Sequence, residues 1–187
     1  IDGQQDSIDQ HVATICRSAQ NEGLLEISES RNQQQAAALW AARKALSPAL
    51  RKIAPNKLNE DVVVPVGNIP SLLRGLAKLS REYQIPIVNF GHAGDGNIHV
   101  NIMVNKKLAG DTLKAEGAIR EVFKAALELG GTMSGEHGVG IAKAPYIPLE
   151  ITPAAADYMK AIKRTLDPNN ILNPGKIFFD EEEAALE

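Results

Sequence analysis

With 187 residues, 44% of them hydrophobic and 23% charged, the chain has the make-up of a globular domain long enough to bury one core, which excludes a disordered segment. A formal net charge of −3 offers no general attraction to nucleic acid or to anionic membranes, so neither is an expected partner. No apolar run approaches the roughly 18 to 20 residues of a membrane helix and no signal-type leader opens the chain, so the expectation is a protein without a transmembrane segment.

The single cysteine, Cys16, excludes an internal disulfide; its setting in HVATICRSAQ reads as a packed helix position suited to a reducing, cytoplasmic setting. Ile1-Asp2-Gly3 reads as the end of a strand, the expectation being a fragment of a longer protein. From Ser7 to Glu22, Ile8, Val12, Ile15 and Ala19 fall at helical spacing, with Gly23 as the residue that ends the helix. LLEIS (24–28) alternates like a short strand. Ser30 and Gln33 then form a capping box opening a helix through Ala36, Leu39, Trp40 and Arg43 towards Pro48, with Trp40 read as a core aromatic. KLNEDVVVPV (57–66) is β-branched and predicts a strand.

Asn68 and Pro70 start the next helix, whose apolar stripe is Leu72, Leu73, Leu76, Leu79 and Tyr83. IPIVNF (85–90) predicts a strand, and residues 98–104 alternate strictly: Ile98, Val100, Ile102 and Val104 face one way, His99, Asn101 and Met103 the other. A long helix from Asp111 to Leu129 ends at Gly130-Gly131. The glycine-rich TMSGEHGVG follows, then a helix over 153–166 and the turn-rich LDPNNILNPGKIFF. Strands and helices interleave, but the central strand pair is joined too tightly for a parallel crossover. An α+β fold with an antiparallel or mixed sheet is therefore expected, as one domain over 1–178 with an acidic tail at 179–187.

Two of the four histidines, His92 and His99, flank the glycine-rich centre of NFGHAGDGNIHVNI. Asp95-Gly96 favours a two-residue type I′ hairpin loop, which pairs His92 directly with His99 and Phe90 with Asn101. Two imidazoles on one face can converge on an ion; they can equally be a solvated sheet face or a packed pair beneath a loop. A phosphate cradle is disfavoured, because no G-x-x-x-x-G-K-[ST] is present and no G-x-G-x-x-G opens a helix. In SGEHGVG, glycines allow Glu136 and His137 to approach a ligand closely, one to bind an ion while the other addresses substrate; the plainer reading is a helix start capped at Ser134.

Taken together, GHAGDGNIH, SGEHGVG and LDPNNILNPGKIF resemble the C-terminal domain of FAD-linked oxidases, the group of glycolate oxidase flavoprotein subunits, D-lactate dehydrogenases and D-2-hydroxyglutarate dehydrogenases. The resemblance runs from near the first helix to Phe178 and implies a ferredoxin-like substrate domain whose FAD is bound mainly by an upstream domain absent here. It matches His92, His99 and Glu136 to divalent-metal ligands, zinc or similar, and His137 to the active-site base. In LWAARKALS it matches Arg43 to the arginine that pairs with a substrate carboxylate and Ser47 to a hydroxyl position, although the family commonly continues Arg-Glu where this chain has Arg43-Lys44. Lys57 and Asn101 match further substrate-contacting positions, and Asn173 a flavin contact, its plainer role being a turn.

The implied reaction is oxidation of a 2-hydroxy acid to the 2-oxo acid, with electrons passed to a downstream acceptor. The implied partners are the substrate and a homodimer or oxidase-subunit complex, the full-length protein lying in the cytoplasm or peripheral to a membrane. The fragment alone is expected to be inactive in dehydrogenation. Two competing readings are a metal-dependent hydrolase, for which no H-E-x-x-H helix is present, and a non-catalytic metal-binding or assembly domain.

Overall fold

In the computed structural model, which describes residues 4–108 and 110–178, the chain falls into two units that part between Pro48 and Ala49. The first holds α1 (Gln5–Ser18) and nearly all of α2 (Gln33–Ala49). α1 stops short of Gly23. The capping box that opens α2 lies two residues beyond Ser30: Asn32 Oδ1 accepts the Gln35 N–H at 2.9 Å, and Gln35 Oε1 accepts the Arg31 N–H at 2.7 Å. Residues 24–28 form no strand, since no strand among the described residues of this unit offers a ladder, and Leu25 is 99% exposed. Trp40 is 63% exposed and is not a core aromatic.

The second unit runs β1 (Asn56–Val63), α3 (Ile69–Tyr83), β2 (Ile87–His92), β3 (Asn97–Val104), α4 (Asp111–Glu128) and α5 (Pro153–Leu166), with short 3-10 helices at Leu50–Lys52, Val66–Asn68 and Ala144–Leu149. The sheet is antiparallel in the order β1-β3-β2. A single bridge, Val63↔Thr132, lies on the free edge of β1 after α4. This β-α-β-β-α succession, with the bridge where a fourth strand would run, is the ferredoxin-like arrangement.

Each element forms for a local reason. α3 carries Pro70 in its first turn and ends where Gln84 turns left-handed (φ 54°). α4 ends in a paired cap: the Gly130 N–H donates to Leu127 O at 2.9 Å and the Gly131 N–H to Ala126 O at 3.0 Å. Val62, Ile98, Val100, Ile102 and Val104 on one sheet face pack with Leu72 and Leu76 of α3 and Ala118, Val122, Phe123 and Ala126 of α4, all buried. Full burial of a large branched or aromatic side chain contributes roughly 1.5–3 kcal/mol, so this layer supplies most of the apolar stabilisation.

The alternation of β3 holds in direction, yet its polar face is buried too, with Asn101 at 0% and Met103 at 2% exposure. β3 is the central strand, covered on both sides. Its polar face is where the candidate site lies.

Candidate functional site

The hairpin loop is four residues long, Ala93 to Gly96, rather than two. A type I′ turn needs positive φ at both central residues, and only Gly96 adopts it (φ 83°). The Gly96 N–H closes the loop on His92 O at 3.0 Å, and Asp95 Oδ1 accepts the Asn97 N–H at 3.0 Å. A Cβ on Gly96 would lie 1.9 Å from Val64 O, so the loop seats directly on the end of β1. His92 therefore pairs with Asn97 and Phe90 with His99, instead of His92 with His99 and Phe90 with Asn101. A slip of two residues preserves the face of every side chain. The two imidazoles become diagonal neighbours, their ring centres 5.4 Å apart.

Glu136 reaches this pair from the loop after α4. Its Oε1 lies 3.2 Å from His99 Nε2 and 3.9 Å from His92 Nε2. One donor atom from each of the three residues falls within 4.8 Å of the others. Nitrogen and oxygen ligands about 2.0–2.2 Å from a tetrahedral zinc ion stand roughly 3.3 Å apart, so the donor set and its spacing fit a divalent ion with little movement. Burial lowers the pKa of His99, against the opposing pull of Glu136, which favours the neutral imidazole that ligates metal. His99 Nδ1 is buried without a hydrogen-bond partner, and the Phe90 ring centre lies 5.7 Å from that of His99.

His137 stacks on His99 with ring centres 5.4 Å apart and planes 16° from parallel. Its Nε2 lies 3.9 Å from Glu136 Oε1 and its Nδ1 3.5 Å from Asp61 Oδ1. Neighbouring Glu136 and His137 thus address one site by different atoms, which glycines 135 and 138 on either side allow.

Asp61 and Lys143 were not legible as site residues. Asp61 lies on β1 opposite His99 and is fully buried. Its Oδ2 accepts the N–H groups of Gly135 at 3.0 Å, Glu136 at 2.5 Å and His137 at 2.8 Å. Its Oδ1 pairs with Lys143 Nζ, which also donates to Met133 O at 2.9 Å. Burial alone would raise the Asp61 carboxyl; the Lys143 ammonium and the loop amides outweigh it and hold it below the usual carboxylate range. The available signal was a carboxylate pair, Glu60-Asp61, inside a β-branched run.

Asn101 shares the face of His99, two residues along β3. Its Oδ1 accepts from Lys57 Nζ at 3.2 Å, while its amide nitrogen donates to Val88 O at 3.1 Å and His99 O at 3.3 Å. Arg43 and Ser47 lie one helical turn apart on α2, in the first unit. Asn173 adopts a left-handed turn conformation (φ 50°) and lines, with Lys163, Arg164 and Lys176, a cavity of about 320 Å³.

The family model for FAD linked oxidases, C-terminal domain, matches residues 1–177. The chain is 36% identical over 177 residues to glycolate oxidase subunit GlcD of Bacillus subtilis, covering 95% of this chain and 38% of that protein. It is 35% identical over 178 residues to D-2-hydroxyglutarate dehydrogenase of Stutzerimonas stutzeri, covering 93% and 38%. It is also 38% identical over 141 residues to D-lactate dehydrogenase of Anaerostipes hadrus, covering 75% and 30%. The chain thus spans well under half the length of these relatives. In fold it is similar to 4-ethylphenol oxidase from Gulosibacter chungangensis, with a TM-score of 0.60 at 19% identity over 96% of this chain and 38% of that one.

Proposed function

Because the chain belongs to the family of FAD linked oxidases, C-terminal domain, we propose that it is the substrate- and metal-binding domain of an FAD-dependent dehydrogenase that oxidises a 2-hydroxy acid to the 2-oxo acid. The observation that carries this reading is the meeting of His92, His99 and Glu136 donor atoms beneath the stacked ring of His137. Relatives named glycolate oxidase, D-lactate dehydrogenase and D-2-hydroxyglutarate dehydrogenase support the substrate class.

In this reading His92, His99 and Glu136 hold one divalent ion; two imidazoles and a carboxylate leave coordination positions open, and zinc, iron and manganese all suit the set. Such an ion, when bound, supplies Lewis-acid polarisation of the substrate hydroxyl. FAD, held mainly by the part of the protein outside this match, supplies the redox chemistry at C2.

The residues of this chain do the rest. Arg43 clamps the substrate carboxylate, as a planar guanidinium can by two parallel hydrogen bonds, with Ser47 beside it. Lys57 and Asn101 present an ammonium and an amide on the sheet face of His99, where they orient the polar end of the substrate. His137 accepts the hydroxyl proton at Nε2, the general-base role that an imidazole nitrogen with a free lone pair can fill. Asn173 contacts the flavin, and electrons pass onward to a separate acceptor.

The test is anaerobic mixing of the intact flavoprotein with glycolate, D-lactate and D-2-hydroxyglutarate, read as bleaching of the flavin absorbance. One of these acids is expected to bleach the flavin at a rate that His137→Ala lowers by at least 100-fold, in line with loss of a general base. Turnover by residues 1–187 without any flavin-binding part, or bleaching untouched by His137→Ala, would contradict the assignment.

A further inference from the structure

We propose that Asp61 is a positioning residue which holds the third metal ligand and the base in place together, an inference that rests on the reading of His92, His99 and Glu136 as metal ligands. Three successive amides, those of Gly135, Glu136 and His137, converge on its Oδ2 at 2.5–3.0 Å. A run of N–H groups closing on one anion is a nest, normally used to bind a ligand; here the anion is the protein's own buried carboxylate. Fixing the amides of residues 136 and 137 fixes the backbone from which both functional side chains depart.

The loop is pinned at both ends through the same group. Lys143 Nζ pairs with Asp61 Oδ1 and donates to Met133 O at 2.9 Å and Asp61 O at 3.3 Å, so the start and end of the 133–143 segment meet at the Lys143 ammonium, which Asp61 anchors. Asp61 and Lys143 are 0% and 4% exposed, which removes solvent competition and strengthens each charge-assisted bond. The same Oδ1 lies 3.5 Å from His137 Nδ1, while His137 Nε2 faces Glu136 Oε1 at 3.9 Å. Asp61 is not among the three residues whose donor atoms converge. It acts through Glu136 and His137.

Two measurements on the intact protein test this. In hydrogen–deuterium exchange without added metal, Asp61→Asn is expected to speed exchange of the peptide carrying Gly135–His137 at least tenfold, while α3 and α4 keep their protection. In equilibrium dialysis against zinc, the same variant is expected to bind ten- to a hundredfold more weakly, the usual loss when a residue supporting a ligand is altered. Should Asp61→Asn alone fail to fold because Lys143 is left buried without its partner, the uncharged pair Asp61→Asn/Lys143→Gln carries the same expectations. Unchanged loop exchange, or a rise spread equally over the loop, α3 and α4, would overturn the inference and reduce Asp61 to a structural group. If the wild type binds no zinc, the metal reading fails by itself, and loop exchange alone decides the role of Asp61.

Discussion

Lys143 meets Asp61 across 82 residues of sequence, and both side chains are withdrawn from water. Such a pair costs desolvation on both sides, so its weight appears when one partner is removed and the other stays buried. Lys143→Met, which keeps the apolar stem, is expected to lower stability by about 3–5 kcal/mol in urea unfolding. A loss below about 1 kcal/mol would mean that Asp61 finds another counter-charge or water.

Glu60, next to Asp61, points to the opposite face of β1, where it lies opposite Val100 at 8% exposure. Burial pushes its carboxyl up to about 7 from an ordinary 4.5, with Lys143 opposing the rise and Asp61 adding to it. The folded state thus holds this proton more tightly than the unfolded chain does. Its stabilising share is complete below pH 4.5 and is lost as pH rises through about 7, by roughly 3 kcal/mol in total. Urea midpoints of the wild type are expected to fall between pH 5 and pH 8, and those of Glu60→Gln to fall less and lie higher at pH 8. Parallel pH profiles for the two proteins would contradict the assignment.

Gly131 carries the chain from α4 onto the edge of β1, where a Cβ would lie 2.0 Å from Val63 O and 2.8 Å from Ala126 O. Both obstacles are backbone, so relief requires breaking the Val63↔Thr132 bridge that leads into the 133–143 loop. Gly131→Ala is expected to cost at least 2 kcal/mol, on the scale of a clash in a packed interior. Gly94→Ala, in open space at the hairpin tip, is expected to change stability by less than about 0.5 kcal/mol. Equal effects of the two in thermal unfolding would show that the approach at Gly131 is not tight.

The layer that packs the sheet on α3 and α4 was readable because its signals are periodic: the alternation of Ile98 to Val104 survives in the structure, and so does the stripe of Leu72, Leu76, Leu79 and Tyr83, whereas Leu73, expected in that stripe, turns out of the core and is 39% exposed. The placing of His92 and His99 on one face was readable for the same reason. Their exact pairing was not, since an Asp-Gly dipeptide favours a type I′ turn without imposing it, and Asp95 keeps its φ negative. A two-residue slip leaves the face unchanged, so periodicity alone cannot detect it.

Other misreadings share a cause. LLEIS has strand propensity but no ladder to join, and Trp40 sits at helical spacing on a helix that buries none of its residues. Asp61 and Lys143 acquire their meaning from partners 74 to 82 positions away, which no local pattern encodes. Only the oddity of two carboxylates heading an apolar strand pointed there.

In the proposed function His92, His99 and Glu136 bind one metal ion. Metal content after dialysis of the intact protein against zinc tests it most directly. The expected result is one zinc per chain, with affinity lowered at least 100-fold in each of His92→Ala, His99→Ala and Glu136→Ala while the fold is kept. A wild type that retains no zinc, or three variants that retain it as well as the wild type does, would contradict the account.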